Sequence, residues 1–177
     1  MIITISGNSG SGKSTVALLL KQTLNYELFS VGAFVRSVAA ERGLSIQNFH
    51  DTNDALKVQD ILKEKYAEIS KGNNIIVDAR TAWIFIPESY KIYLHTSYPV
   101  SAQRLISDES RTDFTALDIE AATKRLSLED AKEVSYFNER FEVRYDSSDN
   151  YDLFLQSDEL LPGEVHNLIL KNLDDVE

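Results

Sequence analysis

The chain has 177 residues, 43% of them hydrophobic and 26% charged, and its net charge at neutral pH is −10. This length fits one domain with its own core, and no run of about 18 apolar residues offers a membrane span. Because cysteine is absent, disulfides, thiol catalysis and cysteine-based zinc sites are excluded, and the acidic balance argues against nucleic acid and anionic membranes as partners.

Strands and helices are predicted to alternate along the chain. Short apolar runs indicate five strands, at residues 2–6, 26–30, 75–78, 90–96 and 151–156. Apolar residues at helical spacing, with capping and stop residues, predict helices over 13–24, 33–43, 45–49, about 53–70, about 99–110, 115–143 and 162–170. This alternation predicts a three-layer α/β fold, in which helices cover both faces of a five-stranded parallel sheet.

Ligands of parallel sheets bind beyond the carboxyl ends of the strands. In this chain those ends lead into residues 7–14, 30–32 and 78–80 and into position 96. We therefore expect these four segments to meet along one edge of the sheet.

The segment GNSGSGKS, residues 7–14, has the spacing of a phosphate-binding loop, G-x-x-x-x-G-K-[ST]. A predicted strand precedes it and a predicted helix follows it, as the motif requires. Backbone N–H groups of such a turn converge on phosphate oxygens, and the helix N-terminus adds positive potential. The motif predicts that Lys13 contacts the β- and γ-phosphates of a nucleoside triphosphate and that the Ser14 hydroxyl binds Mg²⁺.

Four further residues are candidates at this edge. Asp78 ends the apolar strand IIVD and could hold Mg²⁺ through water, with a turn or helix-capping role as the alternative. Arg36, Arg80 and Arg104 lie on segments that begin at the edge; any one could be a solvated arginine, but guanidinium groups suit a phosphorylated acceptor.

A phosphate acceptor needs no general base, because its oxygens are already anionic at pH 7. Positioning and charge neutralisation then suffice for phosphoryl transfer.

These segments resemble the nucleoside monophosphate kinases of the adenylate kinase-like P-loop group, most closely the short cytidylate (CMP) kinases. The resemblance runs through ISGNSGSGKSTVALLL, VGAFVRSVAAERGLSIQNF, IIVDARTAW, IYLHTSYPVSAQRL and YDLFLQSDELLPGEV, which cover most of the chain. It implies transfer of a phosphoryl group from ATP, with Mg²⁺, to a nucleoside monophosphate, CMP or dCMP. It also implies one P-loop kinase domain over 1–177, with a core of 1–32, 71–110 and 145–177, a helical acceptor-binding insert at about 33–70 and a helical lid at about 111–144.

The resemblance further implies roles for particular residues. Nine consecutive residues would bind the phosphates of ATP: Gly7, Asn8, Ser9, Gly10, Ser11, Gly12, Lys13, Ser14 and Thr15. Ser30 and Gly32 would line the acceptor pocket, and Arg36 and Arg80 would hold the acceptor phosphate.

Arg104 would reach the phosphates from the helix beside the lid, and Asp78 would stand near Mg²⁺ and the acceptor phosphate. The catalytic candidates are therefore Lys13, Asp78, Arg80 and Arg104, and the metal-binding candidates are Ser14 and, through water, Asp78.

The chain departs from the family pattern at three places. Ala79 replaces a glycine before the arginine, Asp108 replaces a second arginine that often follows Arg104, and Tyr136 and Phe137 stand where the lid usually has an arginine before a tyrosine. Loss of two cations near the transferring group predicts a slower enzyme, since one such arginine can be worth about 10³-fold. Four other arginines could substitute from shifted positions: Arg111, Arg125, Arg140 and Arg144.

Two other functions stay open. A P-loop kinase for another small metabolite with a hydroxyl acceptor would need a base, for which Asp78 is the candidate. A nucleotide-binding protein with weak catalysis would account for the altered lid. For the nucleotide kinase, we expect small-molecule nucleotides as partners, no nucleic acid, no membrane, a cytoplasmic location and a monomer or weak dimer.

Overall fold

A five-stranded parallel sheet forms the centre of the protein in the computed structural model, which describes residues 1–44, 53–109, 111 and 113–175. The strands are β1 (Ile2–Gly7), β2 (Glu27–Ser30), β3 (Ile75–Asp78), β4 (Tyr90–His95) and β5 (Leu153–Gln156). Their order across the sheet is β2-β3-β1-β4-β5, and every neighbouring pair is parallel. The predicted strands are confirmed, with ends that shift by one or two residues.

Seven α-helices connect the strands in the described part of the chain. They are α1 (Lys13–Leu24), α2 (Val31–Glu41), α3 (Asn53–Ile69), α4 (Ala82–Phe85), α5 (Tyr98–Ile106), α6 (Ile119–Phe141) and α7 (Pro162–Asp174). A short 3₁₀ helix spans Ser148–Asn150. The helix expected at 45–49 lies outside the described residues. No helix that the structure describes is both long and apolar enough to cross a membrane.

The two faces of the sheet are covered by different helices. One face, with Ile5 and Leu94 at its centre, packs on α1 and α7. The other face packs on α3 and α4 through Val77, and on a cluster of aromatic side chains beside α6 through Tyr93. The central strand β1 is buried along its whole length, because it has a strand on either side and a helical layer on both faces. The predicted three-layer α/β fold is confirmed.

Several helix ends differ from the prediction by two to four residues, as at the start of α6 and the end of α7, and two differences concern the packing. Helix α5 ends at Ile106 instead of about 110, because Phe114 is fully buried with α5 and α6 and draws the chain back in a series of turns. Helix α4 was not predicted from TAWIF; its Trp83 is buried and donates from Nε1 to the Tyr151 hydroxyl at 3.0 Å. Helices α2 and α3 occupy the region assigned to the insert, and α6 that of the lid; the division into core, insert and lid stays a prediction.

Candidate active site

The glycine-rich loop joins the end of β1 to the start of α1. Gly7 has φ 142°, and a Cβ atom there would lie 2.2 Å from the Leu94 carbonyl oxygen, so only glycine fits beside β4. Gly12 caps α1 in the left-handed region, with φ 89° and no side-chain bond to the first turn. That turn contains no acidic residue. The N-terminus of α1 therefore keeps the positive potential that suits a phosphate.

The loop is fixed from behind by the segments that follow β4 and β5. The Asn8 side chain donates to the Thr96 carbonyl oxygen at 2.7 Å and accepts from the Thr96 N–H at 3.1 Å. The Ser157 hydroxyl donates to the Ser11 carbonyl oxygen at 3.4 Å. The Asn8 side chain is thus engaged within the protein, and its contribution to phosphate binding would come from its backbone.

Lys13 is folded onto the loop in which it lies. Its Nζ atom donates to the carbonyl oxygens of Gly7 at 2.8 Å and Asn8 at 2.7 Å. Burial, and next the positive charge of Arg80, lower the pKa of Lys13 to about 8, against the opposing effect of nearby carboxylates. A bound polyphosphate would favour the charged ammonium form by adding negative charge beside it.

Three oxygen-bearing side chains meet where β1, β2 and β3 end. The hydroxyls of Ser14 and Ser30 both donate to Oδ2 of Asp78, at 2.7 Å and 3.0 Å. Register explains the meeting, since Asp78 lies opposite Ser30 on β2 and opposite Ile5 on β1. Hydroxyl and carboxylate oxygens are ligands that Mg²⁺ accepts, with its other positions filled by water and phosphate. Ser14 and Asp78 therefore fit the predicted metal site.

Arg80 reaches the glycine-rich loop and also contacts α6. Its Nη2 atom donates to the Ser9 hydroxyl at 2.7 Å. Its Nη1 atom faces Oδ1 of Asp130 at 3.5 Å, the Tyr145 hydroxyl at 3.4 Å and a carboxylate oxygen of Glu133. The arginine predicted to hold a phosphate is thus paired with two carboxylates of the protein itself.

Asp130 links α6 to three other segments. Its Oδ1 accepts from the Tyr145 hydroxyl at 2.5 Å and its Oδ2 from the Tyr98 hydroxyl at 2.9 Å. Partial burial, and next the hydrogen bond to Asp130, raise the pKa of Tyr98 to about 12, so this phenol stays a donor at neutral pH. Burial likewise raises the pKa of the Tyr145 hydroxyl. Each carboxylate oxygen of Asp130 therefore accepts a hydrogen bond from one tyrosine hydroxyl.

Arg104 joins the loop to the segment after β5. Its Nη2 atom donates to the carbonyl oxygens of Ser157 at 2.7 Å and Asp158 at 3.4 Å. Its Nη1 atom lies 3.5 Å from the Gly10 carbonyl oxygen and 3.4 Å from the Thr96 hydroxyl. The Arg104 guanidinium thus supports the loop by bonding backbone carbonyl oxygens. The contact of Arg104 with the phosphates stays a prediction.

The predicted acceptor side lies at the start of α2. The Ser30 hydroxyl accepts from the Ala33 N–H at 3.4 Å, so Ser30 caps α2 while it donates to Asp78. Arg36 is exposed, and its Nη1 atom lies 3.2 Å from the position of a Cβ atom at Gly32. Gly32 thus leaves room for the Arg36 guanidinium one turn further along the helix.

The four arginines considered as substitutes in the lid have local partners. Arg111 and Arg125 both pair with Asp113 and lie over the Phe114 ring, at 5.2 Å and 4.2 Å from its centroid. Arg144 pairs with Asp146 at 2.8 Å, and Arg140 lies 5.9 Å from the centroid of the Phe141 ring. Among these four, the charge of Arg111 contributes to the lowered pKa of Lys13.

The structure thus brings several of the predicted residues together around the loop: Ser9, Lys13, Ser14, Ser30, Asp78 and Arg80. Thr15 is exposed on α1, while Arg36 packs on Gly32 and Arg104 on backbone carbonyls. Sequence reasoning missed three partners of Arg80, which are Asp130, Glu133 and Tyr145, and it missed Tyr98, which bonds Asp130. The spacing of Asp130 and Glu133, one helical turn apart, indicated a shared helix face but not the arginine that it meets.

Two named relatives align with nearly the whole of this chain. The chain is 27% identical over 177 residues to a protein named cytidylate kinase from Methanobrevibacter smithii, covering 98% of each chain. It is 31% identical over 173 residues to a protein of Lacinutrix mariniflava named S-adenosylmethionine-dependent nucleotide dehydratase, which covers 96% of this chain. The chain spans only 35% of the length of that second protein.

The fold also occurs in a solved structure of shikimate kinase from Acinetobacter baumannii in complex with shikimate. The two structures align with a TM-score of 0.68 over 99% of this chain and 94% of the other, at 13% identity, which supports the fold alone. The profile of the cytidylate kinase-like family matches residues 2–159, which include all five strands of the sheet and all of the site. The chain therefore belongs to the cytidylate kinase-like family.

Proposed function

We propose that this protein transfers the γ-phosphoryl group of ATP to a nucleoside monophosphate, CMP or dCMP, with Mg²⁺. The observation that carries the proposal is the 2.7 Å contact of Arg80 with Ser9 in the glycine-rich loop. It adds a guanidinium to a loop that already holds Lys13 and the Ser14–Asp78 pair. A donor triphosphate and a phosphorylated acceptor together need this concentration of cationic and metal-binding groups.

The family and the names of two relatives support a nucleotide as substrate. The family is named for cytidylate kinases, and the Methanobrevibacter relative, which matches over 98% of its length, carries that name. The Lacinutrix relative is also named for action on a nucleotide, although by different chemistry. CMP and dCMP are the acceptors that this resemblance favours.

The proposed reaction is an in-line displacement. A phosphate oxygen of the acceptor attacks the γ-phosphorus, and the bond to the bridging oxygen breaks so that ADP leaves with the electron pair. Lys13 and the backbone of the loop would stabilise the donor phosphates, and Arg80 and Arg36 the acceptor. Mg²⁺ held by Ser14 and, through water, Asp78 would neutralise charge on the β- and γ-phosphates. Because the attacking oxygen of the acceptor phosphate carries no proton, the reaction needs no general base from these residues.

A panel of acceptors tests the proposal directly. ADP release should be fastest with CMP or dCMP when UMP, AMP, dTMP and GMP are measured beside them. Lys13→Ala should abolish turnover without unfolding the protein, and Arg36→Ala and Arg80→Ala should mainly raise the KM for the acceptor. A folded protein that binds ATP and turns over none of these nucleotides would refute the proposal.

A kinase with a hydroxyl acceptor is a second candidate. Asp78 supports it, because this carboxylate lies beside Ser14 at the loop and beside Ser30 at the predicted acceptor pocket. It could take the proton of an attacking hydroxyl. Activity with a hydroxyl-bearing metabolite that disappears in Asp78→Asn would favour this candidate over the first.

A nucleotide-binding protein with weak catalysis is the third candidate. The pairing of Arg80 with Asp130 and Glu133 supports it, because the carboxylates neutralise the cation that an acceptor would need. ATP-dependent binding without phosphoryl transfer to any acceptor would identify this case. A cytoplasmic location and a monomer or weak dimer remain part of the proposal for all three.

A further inference from the structure

Arg80 meets two carboxylates of α6 that differ in how firmly they are held. Asp130 has a side chain that is 13% exposed, and tyrosine hydroxyls from two other segments bond its oxygens. Glu133 lies one helical turn further, with a side chain that is 38% exposed. Its Oε2 atom is nevertheless buried, against the guanidinium of Arg80.

Asp130 is built into the structure. Turning its carboxylate away from Arg80 would also break the bonds from the partly buried Tyr98 and the fully buried Tyr145. Tyr145 contacts the Nη1 atom of Arg80 as well, at 3.4 Å. Asp130 and Tyr145 together therefore fix the direction in which Arg80 reaches Ser9.

Glu133 has no comparable anchor among its described contacts. A carboxylate against a guanidinium is chemically close to a phosphate against a guanidinium, since both present anionic oxygens to its N–H groups. Ser9, Asp130, Tyr145 and Glu133 already face the two Nη atoms of Arg80. Three of these groups face Nη1, so a phosphate that binds this atom would displace one of them. Glu133 is the more exposed of the two carboxylates, and its departure breaks the fewest described bonds.

We propose that Glu133 is an internal anion that occupies the phosphate position on Arg80 in the unliganded protein, and that Asp130 is a positioning residue that keeps Arg80 at the loop. The inference rests on the proposed function in taking the displacing anion to be a phosphate group. Glu133 would thus set the affinity of the site for a phosphorylated ligand.

Equilibrium binding of CMP and of inorganic phosphate to the full chain tests the role of Glu133. Glu133→Gln keeps the size of the side chain and removes its charge, and Glu139→Gln makes the same change at an exposed position of α6 that bonds Ser135. Calorimetry measures the binding. Trp83, the single tryptophan, packs in a cluster with Val134 and Phe137 of α6, so its fluorescence reports in addition on the packing of this helix.

We expect Glu133→Gln to bind both probes about 3- to 10-fold more tightly and Glu139→Gln to stay within about two-fold of the unmodified protein. Unchanged or weaker binding by Glu133→Gln would overturn the proposal, as would an equal gain in Glu139→Gln, which would indicate a general effect of net charge. Inorganic phosphate binds without any turnover, so failure here is distinguishable from failure of the proposed kinase reaction.

Asp130→Asn should behave in the opposite way. With Arg80 misdirected, kcat with CMP should fall about 10-fold or more, and binding of inorganic phosphate should not tighten. Thermal unfolding of each variant checks that the fold is retained. If Asp130→Asn gained affinity as Glu133→Gln does, the two carboxylates would be equivalent competitors and the division of roles would be wrong.

Discussion

Ser14 and Asp78 are 64 positions apart in the sequence, yet the hydroxyl of one donates to the carboxylate of the other at 2.7 Å. The bond follows from the strand order, because β3 lies directly beside β1 and Asp78 is level with Ile5. It ties the first turn of α1 to the end of a different strand. Any cation shared by these two oxygens would have its position set by the sheet and not by a loop alone.

Replacing Asp78 by asparagine should weaken the response to Mg²⁺ while keeping the fold. The amide oxygen can still accept from Ser14 and Ser30, but the negative charge that favours the cation is gone. Because Asp78 is predicted to hold Mg²⁺ through water, we expect the Mg²⁺ concentration for half-maximal activity to rise about 10- to 100-fold. A Mg²⁺ titration of ADP release measures this.

Ser30→Ala is the matched control for that experiment. It removes one hydrogen bond to the same carboxylate and leaves the charge in place, so Mg²⁺ dependence should change only a few-fold. An equal loss in both variants would mean that the orientation of Asp78, and not its charge, limits activity.

Binding of ATP should depend on pH through Lys13. Its pKa of about 8 in the free protein lies below the ordinary value of 10.5, and a bound polyphosphate should raise it again. Above pH 8 the complex then holds more protons than the free protein, so affinity must fall as pH rises. Calorimetry at pH 8.5 in two buffers of different ionisation enthalpy should detect this proton uptake.

Lys13→Arg provides the control, because an arginine keeps its charge throughout this range. Its affinity for ATP, whatever its value at pH 7, should show no decline that begins near pH 8. A decline of the same size in Lys13→Arg would assign the effect to another group.

Arg104→Ala should reduce affinity for ATP through the shape of the loop. The guanidinium joins the Gly10 carbonyl to those of Ser157 and Asp158, and its removal leaves these oxygens without that donor. We expect the free energy of unfolding to fall by about 1–3 kcal/mol and the KM for ATP to rise several-fold. Urea denaturation and steady-state kinetics measure the two effects, and Arg104→Lys should restore stability only in part.

Gly32→Ala should separate stability from acceptor binding. Alanine restricts the unfolded chain and fits a helix, which should stabilise the protein by about 0.5 kcal/mol. Its methyl group would lie 3.2 Å from Nη1 of Arg36 and would shift that guanidinium. If Arg36 holds the acceptor phosphate, the KM for the acceptor should rise although the protein is more stable; an unchanged KM would argue against that role.

The sheet and the glycine-rich loop could be predicted from sequence because both depend on local patterns. Apolar runs such as IIVD mark buried parallel strands, and the spacing of Gly7, Gly12, Lys13 and Ser14 is set by one continuous turn. Because parallel strands have their carboxyl ends at the same edge of a sheet, Asp78 could be predicted to lie near Ser14. The bond between them confirms that these segments share one edge.

The surroundings of Arg80 could not be predicted in the same way. Its carboxylate partners lie on α6 and Tyr145 lies in the segment after α6, while Tyr98 of α5 bonds one of those carboxylates. Their meeting depends on how α6 packs across the sheet. The pattern of α6 showed only weak apolar spacing and many charges, which are equally typical of a solvated helix or a mobile lid. Helix α4 was missed because four residues are too few for a periodic pattern.

The strand order also has a consequence for how the protein is made. β1 pairs with β3 and β4, both far later in the sequence, and the loop after β1 is braced by Thr96 and Ser157. The segment GNSGSGKS can therefore take its native shape only after residues as far along the chain as Ser157 have been made and have folded against it. Any ligand that binds the finished loop and not the partial one, as the proposed ATP would, favours completion of these last folding steps.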